Sequence, residues 1–349
     1  MDKKKLKHDD YTVAWICPLV VEQVAALEML DEEHERLPQP EHDHNLYDLG
    51  SIYGHNVVVA QLPLAGNCFA ATVVAQMRNT YPRLRFGLLV GIGGGVPTRT
   101  AEGSIRLGHI VVSEPTGQHS GAVQYDHGKA EANQLLRTGC LAPPPHVLLN
   151  AARRAQVRRH RMSAEPLAAH LKRIDTTKSH FRRFKRPHAD QDYLYEPEYI
   201  HLDGKKSCKR CGCDASKRVN RDGDDSDDSD DSDDDDRLHE DDDDRVVVHR
   251  GTIASGETVM RNGQQRNTLA QEHKIICFEM EAAGALNDFP CLVIRGISDY
   301  SDSHKNDKWH GYAAAVAAAY ARELFSHMPV EEVKQCKIAE QGDLMDIRR

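Results

Sequence analysis

Four short segments of this chain carry residue types that could do chemistry, each where an apolar run meets a helix or a turn. In Ile16-Cys-Pro-Leu-Val-Val-Glu-Gln23, Glu22 stands at a helix start and could act as a base toward water. A charge that favours the positive end of the helix is the plainer use of such a residue. Gly91-Ile-Gly-Gly-Gly95 follows the apolar run Arg85 to Val90 and reads as a buried strand ending in a glycine-rich turn. Without Cβ atoms its N–H groups can approach an anion or a sugar closely, although a bare tight turn would use the same glycines. It has neither the Lys-Ser/Thr of a P-loop nor the spacing of a dinucleotide fingerprint.

In Cys277-Phe-Glu-Met-Glu-Ala-Ala-Gly284, two carboxylates enter apolar surroundings. Burying them is costly, so Glu281 calls for a fixed partner such as the vicinal hydroxyls of a sugar, with a helix-start charge as the alternative. In Val293-Ile-Arg-Gly-Ile-Ser-Asp-Tyr300, Asp299 stands just past an apolar strand, where α/β folds place functional groups. Partial desolvation would raise its pKa and let it deliver a proton. A simple strand-end cap would need neither property.

The elements that must position these residues follow from periodicity. Residues 11–135 alternate β-branched runs with helical periods: strands at Tyr11–Cys17, His55–Leu62, Phe86–Val90 and Gly108–Ser113, helices at Val20–Leu30 and Asn67–Asn79. The rhythm resumes over residues 246–327, with strands at Val246–Ala254 and Pro290–Gly296, a helix opening at Glu279, and an Ala-rich closing helix over Gly311–Phe325. This predicts one three-layer α/β/α domain around a central mixed, twisted sheet over residues 10–327, interrupted by an insertion at 142–245 and followed by a tail at 328–349. The insertion holds a basic helical piece (Pro145–Lys172), an aromatic-rich loop (Asp192–His201), a cysteine cluster and an acidic tract. From Asp222 to Asp244 the tract has 16 carboxylates against one Arg. Such a run buries no apolar surface and is expected to be disordered.

Charge and cysteines exclude several functions. The net charge of −9 comes from that tract, and the rest of the chain carries only about +6, too little for a nucleic-acid footprint. No apolar run reaches the 18 residues of a membrane span, and the charged N-terminus lacks the apolar core of a secretory signal. Nine cysteines, an odd number with several inside apolar strands, point to a reducing compartment, cytoplasmic or nuclear.

Taken together and in this order, the four segments resemble the nucleoside phosphorylase and nucleosidase superfamily. The similarity is greatest to the methylthioadenosine/S-adenosylhomocysteine nucleosidase branch and to related fungal domains at the front of NACHT or ankyrin proteins. Gly66-Asn-Cys-Phe-Ala-Ala71, Gly121-Ala-Val-Gln-Tyr-Asp126 and Thr252-Ile-Ala-Ser-Gly-Glu257 match as well. The resemblance implies that Asp299 protonates a purine at N7 with Ser298 beside it. It implies that Met280 and Glu281 hold the ribose and that Glu22 positions the attacking water. Gly93 and Gly94 would lie beneath the sugar, and Val259 and Met260 would line the base pocket, although Val259 stands where the nucleosidases have an aromatic residue. The implied reaction is hydrolysis of the N-glycosidic bond of a purine nucleoside or nucleotide, adenine being the expected base, in a homodimer with no cofactor and no metal.

Phosphorylase relatives place an arginine beside the glycine loop. Here Leu88-Leu-Val-Gly91 is apolar, with Arg85 and Arg99 as the nearest cations in sequence, which favours water over phosphate. A phosphorolytic enzyme and a catalytically quiet nucleoside-binding module are the alternatives. In the insertion, Cys208-Lys-Arg-Cys-Gly-Cys213 has a C-x-x-C spacing with His201 upstream, compatible with tetrahedral zinc or with free thiols, and lacks a second C-x-x-C.

Overall fold

The computed structural model describes residues 3–132, 135–162, 166–204, 206–221 and 246–339. The acidic tract, expected to be disordered, lies outside the described residues. The main strands, numbered in chain order, are β1 (Val13–Cys17), β2 (Tyr47–Ile52), β3 (His55–Gln61), β4 (Phe86–Gly95), β5 (Ile110–Ser113), β6 (Ala122–Gln124), β7 (Val248–Ser255), β8 (Ile275–Glu279) and β9 (Cys291–Asp299). The main helices are α1 (Val20–Glu28), α2 (Asn67–Thr80), α3 (His146–Arg161), α4 (Pro166–Leu171), α5 (Gly263–His273), α6 (Ala282–Leu286), α7 (His310–Ser326) and α8 (Val330–Gln335).

One ten-stranded mixed sheet runs in the order β8-β7-β5-β9-β4-β1-β3-β2, ends on the two-residue strand Glu32–Glu33, and carries β6 beside β7. β1 lies parallel to β3 and β4, and β9 lies parallel to β4 but antiparallel to β5. β8 also returns to the far end of β4, pairing Cys277 with Gly95 and Phe278 with Gly94. The glycine run is therefore not the turn expected from the sequence. It is the second half of a ten-residue strand, clasped between β9 and β8, and none of its glycines has a positive φ. Its glycines answer to crowding rather than to a turn.

The strands are buried because helices cover both faces. α7 is apolar almost all round and 15 of its residues are buried, as expected of a helix enclosed by its neighbours. It packs along β9 and β4 and is flanked by α1, α3 and α4. A Cβ at Gly296 would meet the Ala313 backbone, so that face of β9 is pressed against α7. Alternation along the strand then directs Arg295 to the opposite face, toward α6 and its neighbour α2. Through Leu148, Ala151, Ala152 and Ala155 the start of the insertion joins the main core. The expected tail also packs: Val333 is fully buried, and Arg78 and Arg85 donate to the carbonyls of Ala339 and Cys336. Among the described residues, no helix is long and apolar enough to cross a membrane.

Candidate active site

Glu22 is the third residue of α1, and its carboxylate caps the helix start by accepting from the Leu19 N–H at 2.5 Å. The other oxygen accepts from the Ile92 N–H at 2.7 Å, which ties the helix start to the glycine strand. The cap and the candidate site residue are thus the same group. It is 3% exposed, and burial pushes its pKa up to about 8, with the Glu281 carboxylate adding to that rise and Arg295 opposing it.

Glu281 immediately precedes α6, but the helix start is capped by Glu279, whose carboxylate accepts from the N–H groups of Glu281 and Ala282 at 3.0–3.1 Å. The helix-start role considered for Glu281 is taken by its neighbour. Glu281 accepts from the Gly66 N–H at 3.2 Å and from Arg295 at 3.0 Å, and burial raises its pKa to about 7. Met280, between the two glutamates, is half-buried. Arg295, 1% exposed, also donates to Glu279 at 2.5 Å, so one guanidinium serves two buried carboxylates with Glu22 nearby. A Cβ at Gly91 would collide with both Glu22 and Arg295, and one at Gly93 with the Cys277 thiol. These approaches are the physical reason for the glycines.

At the other end of the glycine strand, the register between β9 and β4 shifts so that Ile297 faces Gly93 and Asp299 faces Gly94, leaving Ser298 as an extra residue. Such irregularities re-aim side chains. Here Ser298 Oγ lies 3.3 Å from the Gly93 carbonyl and 2.9 Å from Asp299. Asp299 is 4% exposed and also accepts from the Ser301 N–H at 2.9 Å, and Lys305 Nζ lies 2.8 Å from its Oδ2. Burial pushes this carboxyl up, but the Lys305 ammonium and the hydrogen bonds more than reverse the effect and hold it below the ordinary aspartate value. The raised pKa expected from the sequence is corrected in direction, because a cation lies against the carboxylate.

The two residues expected to line a base pocket divide. Val259 is 46% exposed, whereas Met260 is buried with Val96, Val123, Tyr125 and Phe278. Tyr125 and Phe278 meet edge to face at 5.6 Å and bring aromatic surface to this cluster. Arg295, Glu279 and Lys305 were not singled out by sequence reasoning. For Arg295 the signal was a lone cation in an apolar strand, two alternations before Asp299; for Lys305, in an irregular loop, there was none. Arg85 points away, to the Cys336 carbonyl, so the cation against the glycine strand is Arg295. A surface groove along α3, lined by Arg153, Arg154, Arg158 and Arg161, contains none of these groups.

No protein-family model matches the chain. It is 40% identical over 337 residues to a nucleotide-binding leucine-rich repeat (NLR)-like protein of Hyaloscypha variabilis, a match covering 96% of this chain and 31% of that protein. Over 88 residues, 24% of this chain and 17% of the relative, it is 35% identical to the ATP nucleosidase Cap17 of Escherichia coli. The chain thus spans less than a third of the length of these relatives. Among solved structures it is similar to a mutant of the 5′-methylthioadenosine/S-adenosylhomocysteine nucleosidase of Helicobacter pylori with 5′-methylthioadenosine in the active site. The TM-score is 0.56 at 13% identity, covering 91% of this chain and 99% of that one.

Proposed function

From a chain that has the nucleoside phosphorylase and nucleosidase fold, we propose an N-ribosyl hydrolase that cleaves the glycosidic bond of a purine nucleoside or nucleotide. The observation that carries this reading is the charge arrangement along the glycine strand. Three carboxylates, Glu22, Glu279 and Glu281, share one cation at one end, and a carboxylate with an ammonium stands at the other.

Breaking an N-glycosidic bond puts positive charge on the ribose and negative charge on the departing base. The end with surplus carboxylate suits the cationic sugar: Glu281 accepts hydrogen bonds from the ribose hydroxyls, and the developing charge draws the raised carboxyls into their ionised form. Glu22, once ionised, takes the proton of the attacking water. At the base end Asp299 reaches N7 and passes on a proton that the ion pair holds on Lys305 when the site is empty. Lys305, a quarter exposed, takes up its replacement from solvent. Inorganic phosphate would have to displace Glu279 and Glu281 from Arg295, which favours water as nucleophile.

The test is a panel of adenosine, methylthioadenosine, inosine, AMP and ATP incubated with the purified chain, with and without phosphate, and assayed for free base. We expect free base and free ribose-containing product at a rate that phosphate does not change. Strict phosphate dependence would make the chain a phosphorylase. Ligand binding without release of base from any substrate would make it a quiet binding module.

A further inference from the structure

A second cluster of reactive side chains lies where the insertion meets the loop after β9, and the proposed reaction uses none of it. His201, Cys208, Cys213 and His304 each place a ligand atom within 4.8 Å of the others. His201, Cys208 and His304 are buried and Cys213 is half-buried. We propose that these four residues bind a structural zinc ion, which ties the segment 199–213 to the loop Tyr300–Lys305.

The donor set is the first argument. Two thiolates and two imidazoles form a common closed tetrahedral zinc shell, and the two thiolates cancel the charge of the ion, so a buried site carries no net charge. At zinc–sulfur and zinc–nitrogen distances of about 2.3 and 2.0 Å, neighbouring ligand atoms of a tetrahedron are about 3.3–3.8 Å apart. Cys208 Sγ and His304 Nδ1 are already 3.7 Å apart. The others lie within 4.8 Å, so the closure needed is at most about 1.5 Å.

The second argument is the preparation of His304. Its Nε2 lies 3.0 Å from the Tyr199 carbonyl, which can only accept, so Nε2 carries the proton and Nδ1 presents its lone pair toward Cys208. A ligating histidine is commonly oriented by such a bond from its other nitrogen. The ring is also held flat against Tyr195, with centroids 3.9 Å apart at 20°, and lies nearly parallel to Tyr199. The third argument is economy of core. Among the described residues of 199–213 the buried side chains are His201 and Cys208, so the segment has little apolar packing of its own, the condition in which a small structure relies on a metal or a disulfide. All nine cysteines are free.

The ligand set differs from that suggested by the C-x-x-C spacing. Cys211 Sγ lies 4.0 Å from His201 Nδ1 but donates to the Asp203 carbonyl at 3.6 Å, and it is Cys213 that completes the set of four. The fourth ligand comes from beyond the acidic tract, next to Lys305.

Elemental analysis of the full chain purified without chelator should give one zinc per chain. Cys208→Ser and Cys213→Ser should each abolish the stoichiometry, while Cys211→Ser keeps it. Cobalt(II) added to the zinc-free chain should produce the visible d–d bands of a tetrahedral site with thiolate charge transfer. Chelation should open the segment between 187 and 221 to protease while the rest of the domain resists, a readout independent of turnover and of variant folding. A wild-type chain that holds no zinc after exposure to it, full zinc in both Cys208→Ser and Cys213→Ser, or octahedral cobalt spectra would overturn the proposal.

Discussion

The two ends of the glycine strand treat the same functional group in opposite ways. Glu22 and Glu281, at the proposed sugar end, are pushed up to about 8 and 7, whereas Asp299, at the proposed base end, is held below its ordinary value, although all three are nearly inaccessible. Burial alone would raise all three. What differs is the ratio of cation to carboxylate. Arg295 is divided among several glutamates, while Lys305 serves Asp299 at 2.8 Å. The direction of a buried carboxyl is set by how many neighbours share its cation, and a pair and a crowd give different answers along one strand.

Removing the shared cation should break the comparison most severely. Arg295→Met leaves buried carboxylates without a partner and should cost about 3–5 kcal/mol, enough to unfold a marginal domain. Urea unfolding checks this, and a midpoint unchanged from wild type would mean that Arg295 does not balance the cluster. Next comes the base end. Asp299→Asn cannot pass on a proton and should lower kcat on the order of 10²-fold or more with the fold intact, and Lys305→Met should lower it about tenfold. A substrate whose leaving group needs no proton, such as a nitrophenyl riboside, should lose much less, and equal losses on both substrates would remove Asp299 as the acid.

At the sugar end the sign of the pH dependence is the sharper test. Glu22 must be ionised to act as a base, so kcat/KM should rise with pH through about 8, and Glu22→Gln should abolish that limb. Stability should move the other way. A carboxyl that titrates near 8 when folded and near its ordinary 4.5 when unfolded holds its proton more tightly in the folded chain. Its contribution is therefore intact below about 4.5 and is lost as pH rises through 8. Melting curves from pH 5 to 9 should show this decline, and Glu22→Gln should flatten it. The smallest effect is expected at Val259. Half-exposed, it should change KM by about twofold or less on truncation to Ala, within the usual range for surface positions. Met260→Ala should cost about 2 kcal/mol or more in stability.

Much of this was legible in the chain. Strand and helix periods gave the α/β rhythm, and carboxylates at the ends of apolar runs marked Glu22, Glu281 and Asp299 as candidates. The glycine run was misread because its cause is crowding by Glu22, Arg295 and Cys277, residues remote in sequence from most of the run. Asp299 departs from the expected rise because Lys305, the cation against it, lies in a loop whose sequence has no periodicity. β2 and α5 escaped notice. The first has a glycine and an aspartate in its short run, and the second, Gly-Gln-Gln-Arg-Asn-Thr-Leu-Ala-Gln-Glu-His, has no apolar stripe. The packing of the expected tail rests on single residues such as Val333, too few to make a period.

The return of β8 onto β4 has a consequence for how copies of this chain can meet. At that end the sheet is folded back on itself, so it offers little template of unpaired N–H and C=O groups to a neighbour. The opposite end stops on Glu32 and Glu33, a two-residue strand whose Glu33 is paired with Lys3 at 2.6 Å and beside which Lys4 bridges His34, so that edge is short and partly covered. Continuous sheets across two molecules are discouraged at both margins. A dimer of this chain would have to join through helices and loops, leaving each sheet complete within its own molecule.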